Sequence, residues 1–140
     1  MKKLSLLIAS LIFIISCSSD SDSNQSNANF IGKWTIEFEK EYDNNNVNYQ
    51  TYDHTDDECY GMTTYEFKTN NDFVKDSYDY YNFNCVRNPI RTYNYTYSGN
   101  QIVINNEETL EIIENTSSIL KLKKNYNDGY YKITEYSKVN

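Results

Sequence analysis

An all-β fold, a single antiparallel up-and-down barrel of about eight strands, is predicted by three features of the chain. Past position 30, aromatic and aliphatic residues recur with a period of two, the pattern of strands that bury one face. Clusters rich in Asn, Asp and Gly interrupt these stretches at short intervals, as hairpin turns do. Helical spacing is scarce, and a short turn near residues 85–90, limited by Pro89, is the most helix expected.

The strands follow in order. Trp34, Ile36 and Phe38 alternate with Lys33, Thr35, Glu37 and Glu39, which gives a half-buried first strand. Tyr65 and Phe67 alternate with Thr64, Glu66 and Lys68 in the second, and Asn70-Asn71-Asp72 turns into a third over residues 73–81. Tyr93, Tyr95 and Tyr97 alternate with Thr92, Asn94 and Thr96, and Ser98-Gly99-Asn100 turns into residues 101–104. Leu110 and Ile112 mark the sixth strand; Leu120 and Leu122, alternating with Lys121 and Lys123, mark the seventh. Asn127-Asp128-Gly129 is a strong hairpin signal, and residues 130–138 close the set.

The first sixteen residues have a different character. Lys2 and Lys3 precede an apolar run over residues 4–15, well short of the ~20 residues a spanning helix needs, so the segment reads as a secretory leader. Its ending, Ile15-Ser16-Cys17, resembles the lipobox of bacterial lipoproteins. That resemblance implies that residues 1–16 are a lipoprotein signal peptide and that Cys17 becomes an acylated N-terminus, palmitate among its chains. A plain signal peptide or a short membrane anchor is the alternative. Residues 17–29 hold no large apolar side chain and read as a lipidated flexible tether, leaving residues 30–140 as the barrel domain. Asp20 and Asp22 resemble sorting signals of some Gram-negative lipoproteins, with simple linker composition as the alternative; the expected location is the bacterial envelope, lipid-anchored, at the outer membrane on either its periplasmic or its surface face.

The formal charge of the chain is −7. The leader holds two of the thirteen basic residues and none of the twenty acidic ones, so its removal leaves −9. Such a chain repels phosphate backbones, and nucleic acid is not an expected partner. Nor does it attract anionic lipid, so membrane attachment is expected to rest on the acyl chains of Cys17. Besides Cys17 there are two cysteines, Cys59 and Cys85. In an exported protein an even pair favours a disulfide, with two buried thiols or a metal pair as alternatives.

The opening Ile31-Gly32-Lys33-Trp34 resembles the G-x-W start of the first lipocalin strand. Residues 31–139 as a whole resemble the compact lipocalin-like domains of bacterial lipoproteins. Cys59 before an aromatic-ended strand at Phe67, Asn71-Asp72-Phe73, then Cys85 fit their order. So do the aromatic strand at residues 93–97, Gly99-Asn100 and the apolar strand at residues 102–104. A T-D-Y motif of the secreted animal lipocalins is missing, and the resemblance implies a fold more than an activity.

Catalytic patterns are poor. There is no G-x-S-x-G elbow and no Gly-rich phosphate loop, and no enzyme activity or cofactor is expected. The single histidine, His54, lies among Asp53, Asp56, Asp57 and Glu58, which are expected to form a solvated acidic loop rather than a metal site. Tyrosine combines an apolar ring with a polar tip, which suits a wet cavity. Tyr80, Tyr93, Tyr95 and Tyr97 are therefore candidate ligand contacts, each weighed against a packing role in the barrel. Two functions remain open. One is a membrane-tethered module whose barrel holds a small amphipathic or apolar molecule. The other is an interaction lipoprotein that meets an envelope protein or glycan through its surface, including residues 44–57.

Overall fold

The computed structural model describes residues 29–140. The expected leader, Cys17 and nearly all of the tether lie outside the described residues. The described chain forms eleven strands and one short helix. The strands are β1 (Gly32–Tyr42), β2 (Asn48–Asp53), β3 (Thr64–Phe67), β4 (Asp72–Asp76), β5 (Tyr78–Tyr81) and β6 (Asn84–Arg87). They continue as β7 (Arg91–Ser98), β8 (Gln101–Ile104), β9 (Glu108–Asn115), β10 (Ile119–Asn125) and β11 (Tyr131–Lys138), with α1 (Glu58–Met62) between β2 and β3.

Eight of the strands close a ring in the order β1, β3, β4, β7, β8, β9, β10, β11, every neighbour antiparallel. The last strand returns to the first, pairing from Trp34 opposite Lys138 to Tyr42 opposite Tyr131. Closure removes the free edges that an open sheet would expose. Residues 29–140 hold a complete closed ring with its own core, as a unit that folds by itself requires.

Asparagine shapes the turns. Five of the six described non-glycine residues with positive φ are Asn, and consecutive Asn105 (54°) and Asn106 (58°) make the tight turn between β8 and β9. A type I′ turn needs positive φ at both central positions, which Asn tolerates better than most residues with a Cβ.

Three expectations are corrected. The strand expected over residues 73–81 breaks at Ser77: β4 stays in the barrel, while β5 leaves it to pair only with β6. The helical turn expected near residues 85–90 is largely extended, because Asn84–Arg87 is that second hairpin strand. Helix forms at Glu58–Met62 instead, where the Asp57 carboxylate accepts from the backbone N–H groups of Cys59 and Tyr60. Third, the loop expected around His54 contains β2, which lies along β1 from Phe38 to Tyr42, the half that β3 does not reach.

One end of the barrel is closed. Trp34 has no exposed surface, and its indole N–H donates to the Phe30 carbonyl at 2.7 Å. Phe30, just ahead of β1, is buried edge-on against Phe67, with ring centroids 5.5 Å apart, and packs on Tyr97 at 4.8 Å. Ile102 and Leu120 complete the plug. Gly32 has φ +132°, and a Cβ there would meet Lys138 Cε at 3.0 Å. The bare glycine lets the Lys138 side chain lie across the indole, its Nζ 5.1 Å from the ring centroid.

Candidate functional site

The opposite end of the barrel opens into a cavity of about 540 Å³, within the range of small-molecule sites. The alternation that builds each strand also grades it from mouth to floor. Along β7 the inward residues run Arg91, Tyr93, Tyr95, Tyr97; along β10 they run Lys124, Leu122, Leu120. On β4 the order is Lys75 then Phe73, and on β9 Glu108 then Leu110. The result is a cup with an apolar lower wall of Ile36, Phe73, Ile104, Leu110 and Leu122 and a charged rim.

A bulge in β1 places one of the rim charges. Ile36 lies opposite Tyr136 and Phe38 opposite Glu135, so Glu37 is an extra residue and the facing of β1 flips there. The alternation of Trp34, Ile36 and Phe38 expected of a regular strand is thereby broken. Glu39 turns into the cavity in place of Phe38, which shares its side of the strand with Lys40. The Glu39 carboxylate accepts from Lys132 Nζ at 2.5 Å and lies 3.3 Å from His54 Nε2. Burial works against the Lys132 charge, but its hydrogen bond to Glu39 and the charge of that carboxylate hold the ammonium above its usual pKa.

His54 is mostly buried rather than solvated. Its backbone N–H donates to the Glu37 carbonyl at 2.8 Å, and its ring stacks on Tyr60 of α1 with centroids 3.9 Å apart. Nearby carboxylates serve local turns: Asp57 caps α1, and Asp53 accepts from the Thr55 N–H and hydroxyl. Among the described residues no three His, Cys, Asp or Glu side chains converge as a metal set.

The four tyrosine candidates separate. Tyr93 lines the cavity. Tyr95, one step deeper, is 3% exposed and donates its hydroxyl to the Lys68 carbonyl at 2.8 Å, so it belongs to the plug. Tyr97 packs on Phe30 in the same plug. Tyr80 sits on the outlying β5–β6 hairpin, 69% exposed, away from the cavity. Besides Tyr60 of α1, two cavity tyrosines on barrel strands, Tyr65 and Tyr136, are not among the candidates that the sequence suggests. Burial raises the pKa of both phenols, with the charges of other acidic groups adding to it, so both stay protonated at neutral pH. Their signal was available: each shares its inner face with a buried neighbour two residues away, Phe67 and Thr134.

Cys59 and Cys85 are bonded, their Cα atoms 5.3 Å apart, which joins α1 to β6. Thr63 reinforces this corner beside the mouth. Its hydroxyl donates to the Cys59 carbonyl and accepts from the Tyr78 N–H, while the Thr35 hydroxyl donates to the Thr63 carbonyl. Arg87 of the hairpin grips Asp76 of β4 through two hydrogen bonds of 2.8 and 2.7 Å.

A family model described as a lipocalin-like domain matches residues 30–138. No curated protein matches the chain.

Proposed function

The chain belongs to the lipocalin-like domain family, and we propose on that basis that its barrel is a non-catalytic cup for a small amphipathic or apolar molecule. The observation that carries this reading is the cavity of about 540 Å³, apolar below and charged at the mouth. A barrel of eight strands has room for one small ligand, and the plug of Phe30, Trp34 and Phe67 keeps that ligand at one end. The same proposal holds the cup on an envelope membrane, at the outer membrane, through acyl chains on Cys17. Two or more acyl chains anchor stably where one does not.

Native mass spectrometry of the protein purified from its own host is expected to show one co-purifying small molecule that leaves on unfolding. Repeated preparations with an empty barrel and no uptake from a host lipid extract would remove the binding reading. Replacing Cys17 with Ser is expected to move the protein from the membrane to the soluble fraction; retention without acylation would show another anchor.

A second reading has an observation of its own. The β5–β6 hairpin exposes Tyr80, Tyr81 and Val86, and at its tip Phe83 is 90% exposed with φ 64°. An aromatic tip held outward by a disulfide suits recognition of an envelope protein or glycan through the surface.

A further inference from the structure

Resting on the reading of the cavity as a ligand site, we infer that Lys75 and Arg91 receive the anionic head group of an amphiphile, a carboxylate or a phosphate. The two residues face each other directly across β4 and β7, on the inner face they share with Phe73 and Tyr93. Like charges placed opposite one another in an antiparallel pair destabilise it unless something neutralises them.

Nothing among the described residues does so. Four cations and three carboxylates face the cavity. Lys132 is taken by Glu39 and Lys124 by Glu108, the latter at 2.7 Å. Among the described residues neither Lys75 nor Arg91 has a salt-bridge partner, although the chain has seven more acidic than basic residues. Glu107, the third carboxylate, lies on the turn side of β9 and pairs with neither. Asp79 lines a smaller neighbouring pocket that Lys75 and Arg91 also line, again without an ion pair among the described residues.

The contrast between the two arginines sharpens this. Arg87 is fully committed to Asp76, whereas Arg91, exposed at the mouth, lines the cavity and has no side-chain acceptor among the described residues. Lys75 Nζ is poised 5.6 Å from the centroid of the Tyr65 ring, held beside the mouth by an aromatic face. A carboxylate or phosphate between the two would take charge-assisted hydrogen bonds from both and relieve their repulsion. Below them lie Phe73, Tyr93, Leu110 and Leu122, which offer an alkyl tail an apolar wall.

The test uses residues 29–140 loaded with N-phenyl-1-naphthylamine, a neutral apolar fluorophore, at neutral pH. Dodecanoate, dodecyl phosphate and dodecan-1-ol then compete for the cavity. At least one of the anions is expected to displace the fluorophore at roughly ten- to a hundredfold lower concentration than the alcohol, the effect expected of charge-assisted hydrogen bonds. The stronger of the two anions identifies the head group. In K75Q/R91Q the anion should lose this advantage while the alcohol competes as before, and K124Q, at the paired lysine of the rim, should keep it. R91Q alone, at an exposed position, replaces the double variant should that one fail to fold, and is expected to lose part of the advantage. Anions no better than the alcohol, or a preference that survives K75Q/R91Q, would overturn the head-group site and leave the cavity reading intact. Failure of the fluorophore and all three competitors to bind would overturn both.

Discussion

Replacing Trp34 with Ala is expected to destabilise the barrel by about 3–5 kcal/mol, the usual cost of removing a large buried aromatic ring. Trp34 has no exposed surface, and truncating it opens a void in the closed end while leaving the Phe30 carbonyl without its 2.7 Å donor. That bond ties Trp34 to the residue whose ring packs on Phe67 and Tyr97, so the loss should spread through the plug. Urea unfolding followed by circular dichroism measures it. A midpoint near that of the wild type would mean that the closed end is not held by this residue.

Removing the Cys59–Cys85 bridge, by C59S/C85S or by reduction, is expected to cost about 3–4 kcal/mol in the chain-entropy model for a loop of this length. The bridge spans 26 residues and encloses β3 and β4, so its absence enlarges the unfolded ensemble of the segment that builds one wall of the cup. Amide exchange should rise first in α1 and in the β5–β6 hairpin, which the Tyr78 N–H to Thr63 and the Arg87 pair with Asp76 otherwise tie to the barrel. Unfolding curves that superimpose with and without reductant would contradict this. So would two thiols that label freely in unreduced protein exported by its own host.

Most of the barrel was legible because burial on one face imposes alternation, and each barrel strand buries one face. The Tyr93-Tyr95-Tyr97 strand and the Leu120-Leu122 strand lie where their pattern puts them. The parts that were not legible lack that constraint. Every residue of β2 is exposed, so nothing selects an alternating pattern in Asn48–Asp53. The break at Ser77 is announced only by Asp76-Ser77, without the Gly or Asn of the other turns; it follows from long-range bonds, the Tyr78 N–H to Thr63 and the bridge at Cys85. The five-residue helix α1 is too short for a helical period to show, and only its Asp57 cap signals it.

The site was harder to read than the fold for the same reason. Alternation distinguishes inside from outside, but it does not tell floor from mouth. Tyr93, Tyr95 and Tyr97 look alike in sequence, yet the first lines the cavity and the other two fill the plug. The entry of Glu39 depends on a bulge at Glu37 that involves no glycine and leaves no mark in the sequence. Lys75 and Arg91 read as ordinary polar positions at strand ends until the pairing of β4 with β7 sets them face to face.

The location of binding is the central claim, and methyl-resolved NMR of residues 29–140 titrated with N-phenyl-1-naphthylamine tests it most directly. The expected result is saturable shifts of the Ile104, Leu110 and Leu122 methyls around the cavity, with the plug methyls of Ile102 and Leu120 little moved. Shifts confined to Val86 and the hairpin around Phe83, with the cavity methyls unchanged, would contradict it and give the surface reading its support.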